Sequence, residues 1–147
     1  MPTTIEMVKQ IMDDLIPFNR YLGIRVKELR LGHAVLELPF RDEFVGDPVR
    51  RVLHGGVLST LIDTCGGAAV WTQVELEDRV STVDLRVDYL RPAPGADLIC
   101  EGTVQRLGNR VGVVEMRLYT PVNPGRLLAT GKGVYNIRRG KVEREAG

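Results

Sequence analysis

The sequence predicts an α+β domain in which an antiparallel sheet curls around one long central helix, with a short helix in front. Three observations predict it. Residues 55–75 form one apolar stretch of helical length. Two strand-like segments precede it and four follow, alternating or rich in β-formers. The connections between the later segments are short, which implies antiparallel pairing. At 147 residues the chain is expected to be a single domain, 1–147.

The elements follow in order. Met7, Val8, Ile11, Met12 and Leu15 recur at helical spacing, so a helix is expected over about 4–16. Thr3 and Glu6 have the form of a capping box, and Pro17 is expected to end the pattern. Residues 24–31 and 33–40 read as strands joined at Gly32; Ala34, Leu36, Leu38 and Phe40 alternate with His33, Val35, Glu37 and Pro39. Residues 41–53 read as a charged loop.

On a helical wheel, residues 55–75 divide into two sides. Val57, Leu58, Leu61, Ile62, Cys65, Ala68 and Ala69 make a broad apolar side, suited to lie on a sheet. Gly56, Ser59, Thr60, Asp63, Gly66 and Gly67 make a stripe of small residues in which Asp63 is the only charge. Such a stripe admits close approach by another backbone or a ligand. Beyond the helix, Val83, Leu85, Val87 and Tyr89 alternate with Thr82, Asp84, Arg86 and Asp88. Residues 97–107 and 110–120 form a hairpin across Gly108-Asn109. The last strand, 126–137, carries Gly131 and Gly133 on one face, a sign of a close neighbour. Residues 138–147 read as a solvated tail.

Composition narrows the function. Twenty Lys and Arg against 19 Asp and Glu leave a net charge of +1, which lacks the basic excess of a dedicated nucleic-acid binder. With 44% hydrophobic and 27% charged residues, the chain can build a core and stay in solution. No run approaches the roughly 18 apolar residues of a membrane span, and acids in MPTTIEMVKQIMDD disfavour a secretory signal. Cys65 and Cys100 lie in apolar segments, so neither a disulfide framework nor a metal cluster is indicated. A cytoplasmic protein is expected.

The chemistry-bearing run is Leu53-His54-Gly55-Gly56-Val57, leading into Leu61-Ile62-Asp63-Thr64. Its glycines sit where a loop becomes a helix, and the first amides there lack intrahelical partners. Such donors suit a carbonyl oxygen that gains charge during acyl transfer. Asp63 offers a carboxylate able to act as general base or nucleophile. Seven residues separate Gly56 from Asp63, about 10 Å along a helix axis at about 1.5 Å each. Joint action on one substrate therefore needs an antiparallel second copy of the helix, and a homodimer is expected.

His-Gly-Gly-Val, Leu-Ile-Asp-Thr and Gly-Gly-Ala-Ala together resemble the hotdog-fold thioesterases of the phenylacetate-degradation (PaaI-like) type. Val83-Asp84-Leu85 to Tyr89-Leu90-Arg91-Pro92 matches the strand that follows, and the resemblance covers about residues 20–137. It implies hydrolysis of an acyl-CoA thioester by a dimer or dimer of dimers, without metal or redox cofactor. It places the catalytic carboxylate on Asp63 and the backbone donor on Gly55 or Gly56. His54 takes a supporting role, and a hydroxyl that steadies the carboxylate or water falls on Ser81, with Thr82 as neighbour and alternative. Arg91, Arg110 or the basic tail could contact coenzyme A phosphates. One departure stands out: the family's Asn or Gln before the His is replaced by Pro48, after Asp47. That substitution keeps a non-catalytic acyl-CoA binder open as an alternative. A hotdog dehydratase is disfavoured by the spacing of His-Gly-Gly and Asp63.

The same residues admit plainer roles. Asp63 could pair with an arginine, His54 could serve only as a helix cap, and Ser81 could make only a local hydrogen bond. Cys65 and Trp71 are expected in packing rather than chemistry.

Overall fold

The computed structural model describes residues 4–140. Six strands form one antiparallel sheet: β1 (Arg25–Arg30), β2 (His33–Leu38), β5 (Arg79–Tyr89), β6 (Leu98–Leu107), β7 (Val111–Tyr119) and β8 (Ala129–Arg138). Their spatial order is β1-β2-β6-β7-β8-β5, so β5 is an edge. The central helix α3 (Gly55–Trp71) lies across one face of this sheet. This is the α+β sheet around one central helix that the pattern of elements predicts, and the hotdog fold that the resemblance implies.

Register explains how the helix sits so close. One row across the sheet under α3 runs Ala34, Gly102, Met116, Gly131, Val87. A Cβ on Gly131 would overlap Ile62, and one on Gly102 would stand 3.2 Å from the Cys65 carbonyl oxygen. The missing side chains let the apolar side of α3 settle onto the strands. Leu61, Ile62, Cys65 and Ala69 are fully buried there. Burying each of the larger ones favours folding by about 1.5–3 kcal/mol.

Three sequence expectations need correction. The helix over about 4–16 is two pieces, α1 (Thr4–Gln10) and a π-helical turn Ile11–Leu15, and Pro17 begins α2 (Pro17–Leu22) rather than ending the helical region. The cause is Pro17 itself: it forces Ile16 into extended backbone, and proline is at home at a helix's first position. Thr3 lies outside the described residues, as do residues 141–147. The central helix stops at Trp71, because the Thr72 hydroxyl donates to the Ala69 carbonyl (2.6 Å) and accepts from the Gly32 amide (2.8 Å). The loop 41–53 contains a small hairpin, β3 (Val45–Asp47) and β4 (Val52–Leu53).

The solvated-tail expectation also changes at its start. The Arg139 guanidinium donates to Asp78 at 3.0 Å and to the Asn109 carbonyl at 2.9 Å. The Gly140 amide donates to Asp78 at 2.9 Å. Residues 139 and 140 thus close the sheet's end against the turn that follows α3.

Candidate active site

β4 delivers His54 to the start of α3. There His54 is the N-cap: its Nδ1 accepts from the Gly56 amide at 2.8 Å, and its carbonyl accepts from the Val57 amide at 3.0 Å. An accepting Nδ1 is unprotonated, so in the neutral ring the proton sits on Nε2. Of the two glycine amides in the oxyanion reading, Gly56's is already engaged, and Gly55's is the one that remains for a ligand oxygen. Tyr89 steadies this corner, its hydroxyl donating to the Gly55 carbonyl at 3.2 Å.

Two turns along the helix, the Thr82 hydroxyl donates to Asp63 Oδ1 at 2.7 Å. This contact depends on an irregularity in β5. Thr82 pairs with Tyr135 and Leu85 with Gly133, with a register shift between Thr82 and Asp84. Val83 takes up the extra position and is 64% exposed. A bulge of this kind switches the parity of a strand, so Thr82 shares the helix-facing side with Leu85 and Val87. The regular alternation read from sequence put Val83 there instead. Ser81 pairs with Asn136 on the other side of the pleat, so the hydroxyl brought to Asp63 is that of Thr82.

Tyr135 reaches beneath the same turn of α3. Its hydroxyl donates to the Asp63 carbonyl at 2.9 Å. Burial first, and then the charge of Asp63, push this phenol well above the ordinary tyrosine value, so it stays a donor. Room for it comes from glycine: a Cβ on Gly66 would collide with the Tyr135 hydroxyl, and one on Gly133 would lie 2.5 Å from its ring. Gly66, read as part of the open stripe, is therefore buried by this ring. Sequence reading missed Tyr135. The signal was present in Gly133, whose missing side chain leaves room for this ring.

A cleft of about 300 Å³ opens beside Asp63 and Thr82, bounded by the N-terminal segment and Tyr135. Arg91 is elsewhere, its Nη1 held on the Leu127 carbonyl at 2.6 Å. The Asp47 carboxylate is spent on the hairpin turn, accepting from the amides of Val49 and Arg50, so it does not stand in for the family's missing amide side chain. Among the described residues no cluster of three His, Cys, Asp or Glu is arranged to hold a metal ion. No helix there is long and apolar enough to cross a membrane.

The Thioesterase superfamily model matches residues 51–124, which contain His54, both glycines, Asp63 and Thr82. The chain belongs to the thioesterase superfamily, and its reaction class is thioester hydrolysis. A candidate esterase of Halobacterium salinarum is 36% identical over 126 residues, covering 81% of this chain and 83% of that protein. The medium/long-chain acyl-CoA thioesterase YigI of Escherichia coli is 30% identical over 128 residues, covering 78% and 83% respectively. Among solved structures, a thioesterase-superfamily protein with 36% identity superposes at a TM-score of 0.84, covering 93% of this chain and 100% of that one. A thioesterase-family protein from Silicibacter pomeroyi superposes equally well at 25% identity, covering 92% and 99%.

Proposed function

We propose that this protein hydrolyses acyl-CoA thioesters at a site shared by two protomers, and that it works in the cytoplasm without a metal or redox cofactor. The observation that carries the reading is the Thr82–Asp63 hydrogen bond beside an apolar cleft, on the same helix whose first turn presents the Gly55 amide. Eight residues separate Gly55 from Asp63, about 12 Å at about 1.5 Å per residue. One carbonyl group cannot meet both on one helix. The stripe of Gly56, Ser59, Thr60 and Asp63 is left exposed or half-buried within the single chain, and β5 has an unpaired edge. Antiparallel pairing of two α3 helices, with the two β5 edges side by side, would set Gly55 of one protomer near Asp63 of the other.

The chemistry follows from these groups. The Gly55 amide and the positive end of α3 hold the thioester oxygen, whose charge grows as the carbonyl carbon is attacked. Thr82 occupies Asp63 Oδ1 and fixes the carboxylate, which leaves Oδ2 for the reaction. With Asp63 as base, Oδ2 takes a proton from water while the water oxygen bonds to the carbonyl carbon. Collapse of the tetrahedral intermediate breaks the C–S bond, and the departing thiolate regains a proton. With Asp63 as nucleophile, Oδ2 bonds to the carbonyl carbon and the C–S bond breaks, giving an acyl anhydride and the thiolate. Water then opens the anhydride, which restores the Asp63 carboxylate, releases the acid and supplies the proton that the thiolate takes up. His54 keeps the helix start in shape.

Free-thiol release from a series of acyl-CoAs tests the reading. Wild type should turn over, and Asp63→Asn should lose about 10²–10⁴-fold in kcat, the usual share of a general base, while remaining folded. Tight acyl-CoA binding without thiol release would instead favour a binding protein.

A further inference from the structure

The cleft beside Asp63 has a direction. On α3 it is lined by Asp63, Thr64, Gly67, Ala68 and Trp71. At 100° per residue these positions fall within an arc of about 140°, so they form one face followed lengthwise. Gly67 and Ala68 leave the middle of that face shallow, and the Trp71 ring stands at its end. Met12, Ile16 and Phe18 form the opposite wall.

That wall is anchored, not draped. The buried Asn19 side chain donates to the Met12 carbonyl at 3.1 Å. The buried Asp13 carboxylate accepts from the Val26 amide at 2.7 Å and from Lys9 at 2.8 Å. These bonds hold the π-helical turn against β1.

The length of this face sets its capacity. From Asp63 to Trp71 is eight residues, about 12 Å of helix axis at about 1.5 Å each. An extended chain advances about 3.6 Å per three bonds, or roughly 1.2 Å per atom, so this length takes about ten atoms in line.

We infer that the acyl group lies along α3 from Asp63 toward Trp71, and that Trp71 is the residue that limits its length, at about eight to ten carbons. The inference rests on the acyl-CoA reading above and deepens it. Gly67 is the complementary position. A Cβ there meets only the Tyr135 ring, at an ordinary 3.6 Å, so a larger side chain would extend into the groove without disturbing the helix. Trp71 can be shortened without losing a hydrogen bond, because its Nε1 is buried with no acceptor among the described residues.

The test is kcat/KM for straight-chain acyl-CoAs from four to sixteen carbons, measured on wild type, Trp71→Ala and Gly67→Leu. Wild type should peak near eight to ten carbons. Trp71→Ala should raise the ratio of the fourteen-carbon to the eight-carbon substrate at least tenfold. Gly67→Leu should lower the ratio of the ten-carbon to the four-carbon substrate by a similar factor, and it decides alone if Trp71→Ala does not fold. Hydrolysis by all three proteins with unchanged length profiles overturns this inference and leaves the reaction standing. Absence of hydrolysis by wild type at every length overturns both.

Discussion

The Thr82 hydroxyl lies 2.7 Å from Asp63 Oδ1, and it faces the helix because Val83 is bulged out of β5. Removing that donor leaves the carboxylate unsteadied. Thr82→Val should lower kcat about 10- to 100-fold with a much smaller change in KM. That range matches about 1.5–3 kcal/mol for a hydrogen bond to a charged group, at 1.36 kcal/mol per tenfold in rate. Thr82→Ser should recover most of the loss. Ser81→Ala, on the other side of the pleat, should cost less than Thr82→Val; the reverse order would move the hydroxyl's role back to Ser81.

Gly66 and Tyr135 form a matched pair, so enlarging one displaces the other. Gly66→Ala should destabilise the fold by about 1–3 kcal/mol through overpacking, read from the urea midpoint. Tyr135→Phe removes only the bond to the Asp63 carbonyl and should cost about 1 kcal/mol. It should also lower kcat more than it raises KM. An unchanged kcat would make the tyrosine a packing residue alone.

His54 caps α3 through its Nδ1, which accepts from the Gly56 amide. His54→Ala should lose about 0.5–2 kcal/mol of stability with the cap. His54→Asn, which also caps well, should regain it. If His54→Asn is stable yet slow in thiol release, the imidazole serves the substrate as well as the helix.

Asp78 gives the fold an acid sensitivity. Burial alone would raise its carboxyl, but the Gly140 and Glu75 amides and the Arg139 guanidinium outweigh burial and hold it below the usual value. A carboxyl lowered on folding stabilises the protein above its unfolded value, about 3.9, and that contribution is lost as pH falls through the lower folded value. Asp78→Asn should therefore be less stable than wild type at pH 7 by about 1–3 kcal/mol, and the gap should narrow below pH 4. A gap independent of pH would contradict the assignment.

The reading from sequence succeeded where a residue's neighbours along the chain decide its state. The apolar side of α3, the alternation of β2 and the glycines of β8 all carry local patterns that burial then obeys. It faltered where a distant contact or a single irregular residue decides. Nothing local announces the bulge at Val83, so Thr82 and Val83 were assigned to the wrong faces. Pro17 looked like a terminator because its cost inside a helix is familiar, yet its place here is the first turn of the next one. The far wall of the cleft was invisible for a similar reason. Met12 and Ile16 come to line one cleft with Trp71 only through the tertiary fold.

In the proposed mechanism one site needs Gly55 from one protomer and Asp63 from the other, which mixed dimers test. Gly55→Pro removes the amide donor at a position where proline suits the helix, since His54 before it is already extended at φ −63°, ψ 132°; the Tyr89 ring, 3.3 Å from a Cβ at 55, need yield only slightly. Gly55→Pro and Asp63→Ala homodimers should each be inactive. A doubly tagged mixed dimer of the two should recover about half of wild-type thiol release, because one of its two symmetry-related sites is intact. A mixed dimer as inactive as its parents, or a monomer that turns over acyl-CoA unaided, would contradict the shared site.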